Sequence, residues 1–200
     1  MLTPVAKAYA AEKASVGMEE AMSALGGAGY MEENGFGRSI RDALVEKIWE
    51  GTVVVLALDL TRFARDPASV KAFVSWANSV IASCPSPLQQ KLSPSLAIVK
   101  TAIEELPSCF SQPMKPLIPR PALLLVGAIA SSVYLLEHAI WAHNTSEPTK
   151  ELDVEVFQRW VREGGVEADI QAVSRAKADS GERVSLNSAL VFGSREKSKL

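Results

Sequence analysis

Apolar positions along the chain recur mostly three and four residues apart, a spacing that predicts helices. The first helix is predicted over Thr3–Leu25, where frequent alanines favour helix and Val5, Tyr9 and Val16 contribute to an apolar stripe. The glycine-rich stretch at residues 26–30 then ends it, because glycine adopts backbone conformations that close a helix or open a turn.

A second, shorter helix is expected next, with Ser39 as its N-cap. Ile40, Leu44 and Ile48 recur four residues apart, so one face of this helix is predicted to be buried. Gly51 is expected to break the helix directly after Glu50.

Thr52 is predicted to cap a further helix that runs to Phe63 and is apolar on nearly every side. Its run of valines is also compatible with a buried strand. Helix is favoured because the apolar pattern continues past the valines without a turn signal. Asp66-Pro67 marks its end.

From residue 66 onward, prolines divide the chain into helices of moderate length. These helices are predicted at Ala68–Ala82, Pro87–Leu106, Arg120–His143, Leu152–Glu163 and Val166–Asp179. The proline-rich stretch at 111–121 is expected to be irregular, and the residues after Ser180 to form a tail. The pattern therefore predicts an all-α fold, a helical bundle followed by a helical C-terminal extension.

Composition narrows the possible functions. The 200 residues are 48 % hydrophobic and 22 % charged with a formal net charge of −2, as in ordinary soluble globular proteins. Such a balance does not favour binding to a polyanion. The apolar run at 122–136 is shorter than a membrane crossing needs, so we interpret it as a buried helix. The two cysteines, Cys84 and Cys109, form neither a metal motif nor a disulfide framework, and no metal site is predicted.

Glu50 is the residue best suited to chemistry. It stands between Trp49 and Gly51 beside an apolar helix, where partial burial is expected. Burial raises a carboxyl pKa, and a carboxylate so tuned can remove a proton from carbon. A surface glutamate at a helix end remains the simpler interpretation from these residues alone.

Three motifs in order carry a family resemblance. Gly26-Gly27-x-Gly29-Tyr30, Arg41-Asp42-Ala43 and Ile48-Trp49-Glu50-Gly51-Thr52 together resemble the C-terminal helical domain of the acyl-CoA dehydrogenase family. Within it, the chain looks most like the AidB-like, adaptive-response branch. The resemblance covers roughly residues 3–65. It implies domain bounds of 1–66 for a partial C-terminal domain, 67–180 for a helical extension and 181–200 for a tail.

The resemblance also implies a mechanism. Glu50 would remove the α-proton of a fatty acyl-CoA while FAD accepts a hydride, and the Glu50 N–H would polarise the thioester carbonyl. Cofactor contacts would come from Ser23, Gly26, Gly27, Thr52, Val53 and Val54. Ser23 stands where many members carry a glutamine, and Arg41 and Asp42 are expected to brace the loop. The family also needs an N-terminal helical domain and a β-domain that this chain lacks, so we expect a fragment that is inactive alone.

Partners and location follow as expectations. A full-length form is expected to bind acyl-CoA and to be a homo-oligomer. The chain ends in Ser198-Lys199-Leu200, the tripeptide that a peroxisomal import receptor reads. No membrane partner is expected. A DNA-associated role is a weaker alternative, because residues 66–200 hold 14 basic and 14 acidic residues. A non-catalytic helical assembly module is a further alternative.

Overall fold

The computed structural model describes residues 1–178 and 181–193, and throughout these residues the regular structure is helical. The helices are α1 (Leu2–Ala24), α2 (Gly27–Tyr30), α3 (Phe36–Val45), α4 (Val53–Phe63), α5 (Pro67–Ala82), α6 (Ser86–Lys91), α7 (Ser93–Glu105), α8 (Pro119–Asn144), α9 (Lys150–Glu163), α10 (Val166–Ala178) and α11 (Gly181–Phe192). Short 3-10 turns lie at Glu32–Asn34 and Pro107–Phe110. The predicted all-α bundle is confirmed.

Helix α8 is the centre of the bundle. It is 26 residues long and packs against α1, α4, α5, α7, α9 and α10. Among the described residues, α8 is one helix whose length and apolar character would allow it to cross a membrane. However, 67 % of its most apolar window is buried inside the fold. The interpretation of this run as a buried core helix is confirmed.

Helix α1 crosses α8 at a close contact. A Cβ built on Gly127 would lie 2.5 Å from the ring of Tyr9, so only glycine admits this ring. The ring of Tyr9 also contacts Trp160 on α9. The two ring centroids lie 6.4 Å apart in an edge-to-face arrangement. This contact fixes the helix that carries the N-terminal part of the site.

A single hydrophobic core extends from Val5 to Ala176 and so includes residues on both sides of position 66. The boundary predicted there falls between α4 and α5. Asp66 accepts a hydrogen bond from the Ala68 N–H at 3.0 Å and caps α5, so the predicted break at Asp66-Pro67 is confirmed. The division into domains stays a prediction.

Two expectations about the elements are wrong. Ser39 lies inside α3, which begins after Gly35 and has no side-chain cap. The helix predicted over Pro87–Leu106 is two helices that meet at Leu92, next to the proline at position 94. The predicted tail contains a regular helix, α11, although none of its residues is buried.

Candidate active site

The candidate site is centred on the loop between α3 and α4. Helix α3 ends at Val45, a turn follows, and Gly51 has a φ of +107°. Glu50 itself has a φ of +54°, which is uncommon for a residue with a Cβ. Thr52 then caps α4, because its Oγ1 accepts a hydrogen bond from the Val55 N–H with an N to O distance of 3.5 Å. Helix α3 thus ends at Val45, earlier than the break predicted beside Glu50. The Thr52 cap and the helical form of 53–63 are confirmed.

Lys7 of α1 holds this loop in place. Its ammonium donates hydrogen bonds to the carbonyl oxygens of Trp49 at 2.6 Å and Gly51 at 3.0 Å, and to that of Glu46. Three carbonyls on both sides of Glu50 thus converge on one cation. A cation at this position also complements the negative end of α3. The backbone that presents Glu50 is therefore fixed by α1.

A second set of contacts ties the loop to the core helices. Glu12 of α1 pairs with Lys47 of the loop at 3.5 Å and with Arg120 of α8 at 3.4 Å. Within the loop, the indole N–H of Trp49 donates to the Glu46 carboxylate at 2.7 Å. Lys7 and Glu12 of α1 thus both orient the loop. Neither was identified from the sequence, since a lysine and a glutamate on the polar side of a helix carry no local signal.

Glu50 is exposed, so the partial burial expected for its side chain is wrong for this chain. Neither its carboxylate nor its backbone N–H is hydrogen-bonded among the described residues. The expected burial of the α3 face also fails, because Leu44 is 40 % and Ile48 66 % exposed. Helix α3 packs against α1, but none of the residues of α3 is buried.

Exposed apolar side chains occur on both sides of Glu50 along the chain, and we call them the apolar belt. They run from the glycine turn through the end of α3 and the loop to α4. Its members are Tyr30, Met31, Leu44, Val45, Ile48, Trp49, Val54, Val55 and Leu58. Large exposed apolar patches mark interfaces more often than free solvent contact.

The glycine turn lies between α1 and α3. Gly26 has a φ of +57°, and a Cβ on Gly29 would lie 2.0 Å from the Met22 carbonyl oxygen. Gly26 thus satisfies a turn conformation, and Gly29 permits close approach of α2 to α1. Asn34, which the sequence did not single out, braces the turn because its amide donates to the Ala28 carbonyl and its Oδ1 accepts from the Phe36 N–H at 2.9 Å.

The predicted cofactor residues divide into two groups. Ser23, Gly26 and Gly27 lie exposed at the end of α1, with open space where a Gly27 Cβ would be. Thr52 and Val54 are exposed at the start of α4, whereas Val53 is only 7 % exposed. The Val53 side chain is thus part of the core. Only its backbone remains available to a ligand.

The start of α4 offers donors that the helix does not use. The first N–H groups of any helix lack an intrahelical acceptor. The Thr52 side chain accepts a hydrogen bond from the Val55 N–H. The N–H groups of Val53 and Val54 are therefore free to bind an oxygen ligand. Helix α4 has 11 residues, so its N-terminus carries a substantial partial positive charge.

Arg41 and Asp42 contribute less to the loop than expected. Asp42 pairs with Arg38 one turn earlier at 3.9 Å, and both side chains are largely exposed. The Arg41 side chain makes no ion pair or hydrogen bond with the described residues. Bracing of the loop is performed by Lys7 and Glu12 instead.

Comparison of the sequence with known proteins gives matches to one family that include the Glu50 loop. Residues 1–64 match the family model "Acyl-CoA dehydrogenase, C-terminal domain". The chain is 29 % identical over 170 residues to "Acyl-CoA dehydrogenase family member 11" of Caenorhabditis elegans, which covers 80 % of the chain. It is 36 % identical over 75 residues to "Putative acyl-CoA dehydrogenase AidB" of Escherichia coli and 31 % identical over 77 residues to "Broad-specificity linear acyl-CoA dehydrogenase FadE5" of Mycobacterium tuberculosis.

These matches cover only a part of the relatives. The chain spans 27 % of the length of the worm protein, 14 % of the E. coli protein and 13 % of the mycobacterial one. Both bacterial matches cover 38 % of this chain, whereas the worm match extends into the helices beyond residue 64. No solved structure matches the chain significantly.

Proposed function

We propose that this chain supplies the base and part of the flavin site of an α,β-dehydrogenase of fatty acyl-CoA, because residues 1–64 match the C-terminal domain model of the acyl-CoA dehydrogenase family. One observation carries the proposal. Glu50 presents an unpaired carboxylate and an unpaired N–H from a single fixed, positive-φ position. A base and an oxyanion donor in one residue suit proton removal next to a thioester carbonyl.

Each group then has a defined task. A Glu50 carboxylate oxygen takes the α-proton of the acyl chain, while the Glu50 N–H donates to the thioester oxygen and so stabilises the charge that develops there. FAD, when bound, supplies the hydride acceptor for the β-carbon. The Lys7 contacts hold the two Glu50 groups in a constant relative orientation, which lowers the entropy cost of the reaction.

The residues available fit a flavin dinucleotide at two places. The bare backbone at Gly26 and Gly27 admits close approach of a flat or phosphorylated group. The free N–H groups of Val53 and Val54 at the α4 N-terminus suit a phosphate or ring oxygen. Ser23 and Thr52 add exposed hydroxyls near each. We assign these residues to the cofactor and Glu50 to the substrate.

We further propose that the 200 residues are inactive alone. Glu50 is exposed here, and a base in water is neither desolvated nor held against its substrate. The apolar belt is what a covering domain or a second subunit would bury. Acyl-CoA binding and homo-oligomer formation therefore belong to a form that carries this cover.

The experiment uses the longest reading frame that contains this chain. Glu50→Gln should lower turnover of an acyl-CoA about 10²- to 10⁴-fold, the range for loss of a general base. Flavin absorbance per subunit should be unchanged, because the amide keeps the volume and the N–H. Glu46→Gln is the matched control, since it changes a nearby carboxylate that is already occupied by the Trp49 indole N–H.

Two outcomes would contradict the proposal. Unchanged turnover in Glu50→Gln would assign the chemistry elsewhere and favour the helical assembly module, for which the exposed apolar belt is the supporting observation. Stoichiometric flavin and turnover from the 200 residues alone would refute the need for a cover. Absorbance and turnover measured side by side distinguish the two.

For location we propose peroxisomal import through Ser198-Lys199-Leu200, which lies outside the described residues. The exposed helix α11 precedes this tripeptide in the sequence. A fluorescent protein fused before residue 1 should enter peroxisomes, and removal of Leu200 should leave it in the cytosol. Import without Leu200 would contradict the assignment.

A further inference from the structure

A groove unrelated to the Glu50 loop lies where α4 passes into α5. Its volume is about 760 Å³, within the range of roughly 300–1,000 Å³ typical of small-molecule sites. One wall is the face of α5 formed by positions 67, 70, 71 and 74, which are spaced as one side of a helix. The opposite wall is the 3-10 turn after α7, with Pro107 and Phe110.

The floor of the groove is apolar and its rim is cationic. Val70 is 7 % exposed, and Val74 and Phe110 are partly buried against the core. The charged lining residues are Arg65 and Lys71, both exposed and both basic. An elongated apolar wall with positive charge at its edge selects for a ligand with an alkyl body and an anionic end.

Neither cation is neutralised by a contact within the described part of the chain. The side chains of Arg65 and Lys71 form no ion pair or hydrogen bond there. Asp66, the nearest acid in sequence, directs its carboxylate to the Ala68 N–H at 3.0 Å and the Ser69 hydroxyl at 3.4 Å. The acid caps α5 and leaves both cations free to bind an external anion.

We propose that this groove binds a single-chain fatty carboxylate, with its alkyl chain along Val70, Val74 and Phe110 and its carboxylate at Arg65 and Lys71. The site is separate from Glu50 and does not depend on flavin or on turnover. A neutral alkyl compound would lack the ionic contact, and a short carboxylate would lack the apolar one. Both parts of the ligand are therefore needed.

The test is calorimetric titration of the 200-residue chain with octanoate, decanoate and dodecanoate, each below its micelle-forming concentration. Burial of each added methylene should raise the affinity up to about fourfold while the groove has room. Arg65→Gln combined with Lys71→Gln should weaken dodecanoate binding about 2- to 30-fold, the range for two exposed ion pairs. Val74→Trp should fill the groove and abolish binding.

A matched variant separates binding in the groove from a general attraction of anions to surface lysines. Lys100→Gln removes an exposed, unpaired lysine of α7 that lies outside the groove, and should bind as the parent chain does. The Arg65 and Lys71 positions are exposed, so their double variant remains folded even where Val74→Trp does not. Urea unfolding of each variant checks this.

Several results would overturn the proposal. These are no saturable binding, equal affinity for dodecanol, or equal loss of affinity in the Lys100 control. A concentration-dependent dimer that Val74→Trp abolishes would instead assign the groove to a second copy of the chain. Binding only to anionic phospholipid vesicles, and not to free dodecanoate, would assign it to a membrane surface.

Discussion

The contact between Lys7 and the Glu50 loop gives the most direct test of the site geometry. We expect Lys7→Met to loosen the loop without disturbing α1, because methionine has nearly the same helix propensity as lysine and a similar length. The substitution removes the three hydrogen bonds to Glu46, Trp49 and Gly51 and the charge at the end of α3. It leaves the helix itself intact.

The expected cost follows from the exposure of those bonds. Hydrogen bonds to a charged group contribute about 1.5–3 kcal/mol when the partner is left without one. The bonds to Glu46 and Trp49 are exposed, so water replaces the ammonium there, and only the bond to Gly51 is partly buried. We therefore expect a loss of about 1–2 kcal/mol in the free energy of unfolding.

Urea unfolding measures this loss. With a slope near 2 kcal/mol per molar urea, the midpoint should fall by roughly 0.5–1 M. Amide hydrogen exchange of residues 46–51 should also accelerate, since the loop loses its anchor. Lys100→Met, an exposed lysine of α7 without side-chain partners, should leave both readings unchanged. Equal midpoints for the two variants would refute the structural role of Lys7.

Further predictions concern packing and titration. Gly127→Ala should lower the free energy of unfolding by about 1–3 kcal/mol, because the added Cβ would lie 2.5 Å from an aromatic ring. Gly17→Ala, which adds a Cβ in open space, should instead stabilise α1 by about 0.5–1 kcal/mol, and thermal unfolding of both variants measures the difference. Burial raises the pKa of Cys109 to about 11, so a thiol reagent at neutral pH should label it only after unfolding; rapid native labelling would contradict this. Burial also raises the pKa of Asp169, so the folded state holds its proton more tightly and loses stability as pH rises through the interval between the unfolded and folded pKa values. Asp169→Asn removes that loss, so its stability relative to the parent chain should rise as pH increases above about 3.9, the ordinary pKa of an aspartate. Glu167→Gln, an exposed neighbour, should show no such rise, and a pH-independent difference for Asp169→Asn would contradict the sign.

The helices could be predicted from sequence because their signals are local. Thr52 is predicted as a helix cap and Asp66-Pro67 as a helix end from the next few residues alone, and the structure confirms both. That Asp66 also caps α5 is not predicted. The long apolar run of α8 identified the core helix for the same reason. Where a prediction failed locally, as with the cap at Ser39, a competing signal was present: Gly35 adopts a φ of +75° and starts α3 earlier.

Burial of the α3 face could not be predicted in the same way. The apolar spacing of Ile40, Leu44 and Ile48 shows that the face is suited to burial, but not that its covering surface lies in this chain. The structure leaves Leu44 and Ile48 exposed. Periodicity shows that a face is suited to burial, and the error lies in assigning the covering surface to these 200 residues.

For Glu50, too, the chain encodes one part of what the chemistry needs and not the other. The sequence suggested that its chemistry comes from a dry pocket, yet what this chain contributes is orientation: a strained position, two unpaired groups and an anchor at Lys7. Orientation is encoded within the chain because α1 and the loop both belong to it. Desolvation needs a second surface, because Ile48 and Trp49 beside Glu50 are themselves exposed. Under the proposed function, positioning of Glu50 is therefore encoded in this chain and its desolvation is not, and a variant at Lys7 should affect the first without the second.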